Sequence, residues 1–231
     1  MITSEKTAVV LLPGMDGTGE LLMPLAKQLS TCRSVHLIDY PSDRYLNYDR
    51  LVSHVKERLP DDQFVILGES FSGPVAIEIA ATEPRVSGLI LASSFARHPL
   101  PRFFAAFTRL LDFGWIPSGV VAAALMGSAA TPAIKARLRE VLATLPADII
   151  RARARDVLRV DERAQLGEIE CPMLLLHGRS DRLVRKRHVD EIVAARPDCR
   201  VCWLDSSHML LATDTDAAAA VIESFCSQLD C

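Results

Sequence analysis

The chain has 231 residues, 49% of them apolar, and a formal net charge of −3. That is enough apolar material for a full core, and the charge gives no general reason to expect nucleic-acid binding. No run approaches the roughly 18–20 uninterrupted apolar residues of a membrane helix, and Met1-Ile2-Thr3-Ser4-Glu5-Lys6 carries no basic-then-apolar leader, so a cytoplasmic protein is expected.

Thr7–Leu12 is a continuous apolar run broken by Pro13-Gly14, as suits a strand covered on both faces. Apolar residues at 21, 22, 25, 26 and 29 predict a helix over Glu20–Leu29. Val35–Ile38 is the next strand, and Leu51, Val52, Val55 and Leu59 mark a helix ending at Pro60. Phe64–Leu67 is a strand, Pro74–Ala81 a helix and Val86–Ala92 another strand. The alternation then stops. From Ser93 to about Gln165 only helical patterns occur, punctuated by Pro99, Pro101, Pro117, Pro132 and Pro146. It resumes with the strand Met173–Leu176, a helix near Arg185–Ala195, the strand Arg200–Leu204 and a final helix over Asp216–Leu229. The class is therefore α/β, with a parallel sheet of about six strands and right-handed crossovers. The core comprises 1–92 and 166–231, and a helical insertion spans 93–165. Cysteines at 32, 171, 199, 202, 226 and 231 lack the density of a disulfide scaffold. Cys199 and Cys202 match C-x-x-C, but the surrounding run reads as a strand, where residues three apart face opposite sides.

Gly68-Glu69-Ser70-Phe71-Ser72-Gly73 lies between a buried strand and a helix. A serine on so sharp a turn, with small residues such as Gly68 and Ser72 on either side, has the layout of a nucleophile elbow. Serine needs a base to take its proton, and six histidines are available: His36, His54, His98, His177, His188 and His208. The crevice of an open parallel sheet lies at the carboxyl ends of its strands. His36 sits within a strand, His54 and His188 sit in helices, and His98 lies in the insertion; only His177 and His208 follow strands. Asp181 shares the strand-end loop of His177, while Asp205 is a rival acid three residues from His208. The order Ser70, Asp181, His208 is that of the α/β-hydrolases. His208 is the expected base, Asp181 the expected acid, and His177 a turn histidine held by backbone hydrogen bonds. Gly14-Met15-Asp16-Gly17-Thr18-Gly19 lacks a P-loop lysine and the G-x-G-x-x-G spacing.

Leu12 to Gly19, the elbow, His177–Asp181 with Leu183-Val184, and Ser207-His208-Met209 together resemble the α/β-hydrolase family, in family order over nearly the whole chain outside the insertion. Small bacterial esterases such as the pimeloyl-carrier-protein methyl ester esterases are similar. The resemblance implies an α/β-hydrolase fold, cleavage of acyl esters or thioesters through an acyl-enzyme, and no metal or organic cofactor. It also implies an oxyanion hole from the backbone N–H groups of Met15 and Phe71. Two departures stand out: Pro13-Gly14 replaces the usual His-Gly, and Ser72 replaces the fifth elbow glycine. An acyltransferase or C–C hydrolase on the same triad, or a non-catalytic receptor with this fold, remains the alternative.

In the family such an insertion resembles a lid. Phe103, Phe107, Leu110 and Leu111 recur at helical spacing with Trp115 close by, a face suited either to packing or to an apolar acyl pocket. Residues 96–165 carry a net +5 and the remainder −8. Arg151, Arg155, Arg159 and Arg163, spaced by four, form one slowly drifting helical row. Such a row is a solvated, locally ion-paired face or a docking surface for an acidic partner such as an acyl carrier protein.

Overall fold

Six strands, β1 (Ala8–Leu12), β2 (Val35–Leu37), β3 (Phe64–Glu69), β4 (Val86–Ala92), β5 (Met173–Gly178) and β6 (Arg200–Leu204), form one parallel sheet in the order β2-β1-β3-β4-β5-β6. The computed structural model describes residues 6–99, 126 and 131–230. The four inner strands are apolar on both faces because helices cover both. Val10, Leu12, Phe64, Ile66, Leu89 and Leu91 pack on one side, and Val9, Leu11, Val65, Leu67, Ile90 and Leu174 on the other. The strand order reverses between β1 and β3, the point where an open α/β sheet leaves its crevice at the carboxyl ends.

The helices among the described residues are α1 (Met23–Leu29), α2 (Tyr48–Lys56), α3 (Gly73–Thr82), α4 (Pro132–Ala143), α5 (Ala147–Val157), α6 (Arg163–Glu168), α7 (Lys186–Ala195), α8 (Leu210–Thr213) and α9 (Thr215–Cys226). α3 follows a single 3-10 turn, Ser70–Ser72, and places Pro74 in its first turn, where the missing N–H has no helical partner to lose. α1 starts three residues later than the spacing predicts, after a turn in which Leu22 N–H bonds the Gly19 carbonyl. α2 starts earlier, capped by Asn47 Oδ1 accepting from Arg50 N–H at 3.1 Å, and ends at Lys56, followed by a tighter turn in which Arg58 N–H bonds the Val55 carbonyl. Cys199 lies in the turn ahead of β6 rather than in the strand.

Both ends of the expected insertion, 93–165, lie in contact with the core. Phe95 and Ala96 are still buried in the core. An isolated antiparallel bridge joins Arg97 to Asp161, with His98 N–H bonding Val160 O at 3.0 Å and Glu162 N–H bonding Ala96 O at 2.7 Å. These contacts tie its two ends together at the base. α6 straddles the expected boundary and packs against α3 and α7, so the chain is back on the core by Arg163.

Candidate active site

Ser70 sits at the carboxyl end of the central β3, with φ +47°. That left-handed backbone is costly for serine and is held by its surroundings. The Ser94 hydroxyl, just past β4, donates to the Ser70 carbonyl at 2.6 Å. A Cβ on Gly68 would stand 2.7 Å from the Ser72 carbonyl oxygen, and one on Gly73 only 1.7 Å from Ser94 Oγ. Gly73 is thus as necessary to the turn as Gly68. Ser72, the departure from the family pattern, has its own use: its hydroxyl donates to the Pro13 carbonyl and meets the Tyr40 hydroxyl at 2.5 Å, tying the elbow to the turn after β1.

The loops after β5 and β6 bring Asp181 and His208 to the same end of the sheet. Ser70 Oγ lies 2.8 Å from His208 Nε2, and His208 Nδ1 lies 2.8 Å from Asp181 Oδ2. A carboxylate only accepts, so Nδ1 carries the proton and Nε2 presents its lone pair to the serine O–H. Asp181 is 1% exposed at its side chain, and its other oxygen accepts the N–H groups of Leu183 and Val184 at 2.9 and 3.0 Å. Burial alone would raise its pKa, but the hydrogen bond and charge of His208 hold it below the ordinary carboxylate value. His177 is buried, donates from Nε2 to the Val184 carbonyl at 2.6 Å, and meets Trp203 edge-on. Burial keeps its pKa low, and its ring supports the Asp181 loop rather than reaching Ser70. Asp205 is 92% exposed and pairs with Arg179 on the surface.

The turn Pro13–Gly17 faces the elbow. Its N–H groups at Gly14 and Gly17 bond Glu69 Oε2 (3.1 Å) and the Gly14 carbonyl (3.0 Å), and Thr18 N–H, just after it, bonds Asp16 Oδ2 (3.0 Å); the Met15 N–H is not among these donors. Tyr48 stacks on the Phe71 ring at 5.0 Å and donates to the Phe71 carbonyl at 3.1 Å, which fixes the backbone next to Ser70.

Two buried charged residues at the site are invisible to motif reading, Glu69 and Arg153. Burial, with Asp16 nearby, pushes the Glu69 carboxyl up to about 8, against the Gly14 hydrogen bond that favours its ionised form. A carboxyl raised in the folded state contributes stability below its unfolded pKa, and that contribution is lost as pH rises through the folded value. The midpoint of thermal unfolding should therefore fall by several degrees more in wild type than in Glu69→Gln between pH 5 and pH 9. Glutamine keeps an acceptor for Gly14 N–H, and parallel pH profiles for the two proteins would refute this reading.

The arginine row is not one helical face. α5 ends at Val157, Arg159 lies in the following turn, and Arg163 opens α6, paired with Asp161 at 2.7 Å. Burial of Leu158 and Val160 and the bridge at Asp161 break the helix that the spacing of four continues. Arg155 and Arg159 remain together on the surface beside Tyr45 and Asp156. Phe103, Phe107, Leu110, Leu111 and Trp115 lie outside the described residues. α4 does approach the site, for Leu138 and Val141 pack with Leu21, Met126 and Met209, the residue after His208.

A parallel sheet with a serine on the turn after its central strand, and an aspartate and a histidine in later strand-end loops, is the arrangement of the α/β-hydrolases. The model of the alpha/beta hydrolase family matches residues 9–223, and the chain belongs to that family. It is 27% identical to the pimeloyl-[acyl-carrier protein] methyl ester esterase of Stenotrophomonas maltophilia, over 99% of this chain and 96% of that protein. It is 28% identical to the protein of the same name from Aeromonas hydrophila, over 94% of each. Among solved structures, the enol-lactonase from Burkholderia xenovorans superposes with a TM-score of 0.83 at 18% identity, covering 96% of this chain and 92% of that one. No helix among the described residues is long and apolar enough to cross a membrane.

Proposed function

We propose that the protein is a serine carboxylesterase acting on an acyl ester or thioester, with Ser70 as nucleophile, His208 as base and Asp181 as orienting acid. The observation that carries this reading is the unbroken 2.8 Å and 2.8 Å relay from Ser70 Oγ through His208 to Asp181. As Ser70 Oγ bonds to the substrate carbonyl carbon, its proton passes to His208 Nε2, and Asp181 stabilises the imidazolium. The oxyanion is received by the Met15 and Phe71 N–H groups. His208 then gives the proton to the departing alcohol or thiol, leaving an acyl-Ser70. A water that loses its proton to His208 cleaves that ester, and Ser70 regains its hydrogen. No step requires a metal or organic cofactor.

The names of the two esterases favour a substrate carried on an acyl carrier protein. In this reading the part of 93–165 beyond the bridge between Arg97 and Asp161 forms a lid that selects the acyl group, through Phe103, Phe107, Leu110, Leu111 and Trp115. Its basic surface, with Arg151 and Arg155 on α5 and Arg159 in the following turn, and with Arg163 beside it at the start of α6, meets the acidic carrier. Attraction between opposite charges is screened by salt. kcat/KM for a carrier-bound acyl methyl ester should fall at least tenfold between 50 and 500 mM salt (about the range for steered association), while that for a small free ester changes little. Equal salt dependence for both would exclude carrier docking and leave a small-molecule esterase.

A further inference from the structure

Arg153 lies on α5 between the arginines that sequence spacing singles out, yet it points the other way. It is 1% exposed, on the buried stripe with Ile149 and Val157. The other buried arginines among the described residues take carboxylates: Arg33 pairs with Glu223 and Asp230, and Arg196 with Asp198. Arg153 has no ion pair among the described residues. Its Nη1 donates to two successive carbonyls, Met15 O at 2.9 Å and Asp16 O at 2.7 Å, and Nη2 to Pro41 O at 3.3 Å. The guanidinium also lies 5.7 Å from the centre of the Tyr40 ring and 6.0 Å from that of Phe71. Burying a cation against neutral carbonyls is costly, so what it holds matters.

It holds the turn that carries the Met15 N–H. The peptide joining residues 13 and 14 is fixed at both ends, by Ser72 on the Pro13 carbonyl and Glu69 on the Gly14 N–H. The next peptide is fixed by Gly17 N–H on the Gly14 carbonyl, which in a trans peptide aims the Met15 N–H the opposite way. Of the two after it, the first is held by Arg153 at Met15 O, and the second by Arg153 at Asp16 O together with the Gly17–Gly14 bond. Gly17 is shaped to admit the guanidinium. Its φ is +73°, and a Cβ there would stand 2.5 Å from Arg153 Nη1 and 2.9 Å from Cζ.

We propose that Arg153 is a positioning residue for ester hydrolysis: carried by α5, it locks the Met15–Asp16 and Asp16–Gly17 peptides, and through them the adjoining peptide whose Met15 N–H is held ready for the oxyanion. The proposal rests on the reading of Ser70 as nucleophile. It makes the excursion after β4 part of the rate-determining apparatus, coupling the seat of α5 to the oxyanion turn.

Arg153→Met removes the donors and keeps an unbranched apolar stem; Arg153→Lys keeps the charge but can serve only part of the carbonyl set. With p-nitrophenyl acetate, too small to need the excursion for binding, kcat should fall about 10–100-fold in Arg153→Met, somewhat short of losing an oxyanion donor outright. KM should stay within about twofold, and Arg153→Lys should fall between. The rate of Ser70 phosphonylation by a fluorophosphonate should drop in step with kcat, because it needs the same oxyanion support. A purely structural role would lower the unfolding midpoint and leave kcat per folded molecule unchanged, and that result would overturn the proposal. So would a rise in KM at constant kcat. Should Arg153→Met fail to fold, Arg153→Lys is judged by the same two ratios. A wild type that never labels overturns the Ser70 reading and this one together; a wild type that labels no faster than its folded variants overturns this one alone.

Discussion

Replacing Ser70 or His208 by alanine should lower kcat for any ester substrate by about 10⁶, each alone costing nearly as much as both together. The non-additivity follows from the geometry. Ser70 Oγ and His208 Nε2 share one hydrogen bond of 2.8 Å, so removing the imidazole removes the base that this bond offers the serine proton. Without the serine, the imidazole has no nucleophile to activate. A small residual rate over water should survive through the Met15 and Phe71 N–H groups. The comparison that isolates the base is His177→Ala. His177 is held by the Val184 carbonyl behind Asp181, and its loss should cost far less than that of His208. Turnover abolished in His177→Ala and kept in His208→Ala would reverse the assignment.

Asp181→Asn should lower kcat by about 10⁴ with little change in KM. Oδ1 accepts two backbone N–H groups and Oδ2 accepts His208 Nδ1–H. An amide in that position either turns its NH₂ toward His208, forcing the tautomer whose proton sits on Nε2, or turns it toward two N–H donors that then lose their acceptor. The first loses the base; the second leaves buried groups unsatisfied. Because the folded carboxyl sits below its ordinary pKa, the stability it contributes is present above the unfolded value of 3.8 and fades as pH falls through the folded one. The stability cost of Asp181→Asn should accordingly be larger at pH 7 than at pH 3. A variant with wild-type kcat would remove Asp181 from the relay and reopen Asp205, although Asp205 lies at the surface beside Arg179.

The strands were legible because a parallel sheet covered on both faces demands continuous apolar runs, and Phe64–Leu67 and Met173–Leu176 are such runs. Their functional ends were not. β3 continues through Gly68-Glu69 and β5 through His177-Gly178, residues without strand character that pair because their neighbours do. Ser70, Asp181 and His208 could be read from where they stand relative to strand ends, since that placement alone puts them at one end of the sheet. Arg153 and Glu69 could not, because residue type places a charge in water by default. A signal for Arg153 existed in its spacing: it lies four residues from Ile149 and four from Val157, on the apolar stripe of α5. The arginine spacing of four misled for the converse reason. It takes no account of where the helix ends, and here the end is set by the bridge between Arg97 and Asp161, far apart in sequence.

Everything proposed for the site depends on Ser70 being a nucleophile activated by His208. Incubating the folded wild-type protein with a fluorophosphonate and mapping the adduct by peptide mass tests it most directly. One stoichiometric adduct is expected on Ser70, abolished in Ser70→Ala and slowed by several orders of magnitude in His208→Ala. A folded wild type that stays unlabelled, or labels elsewhere, would contradict it.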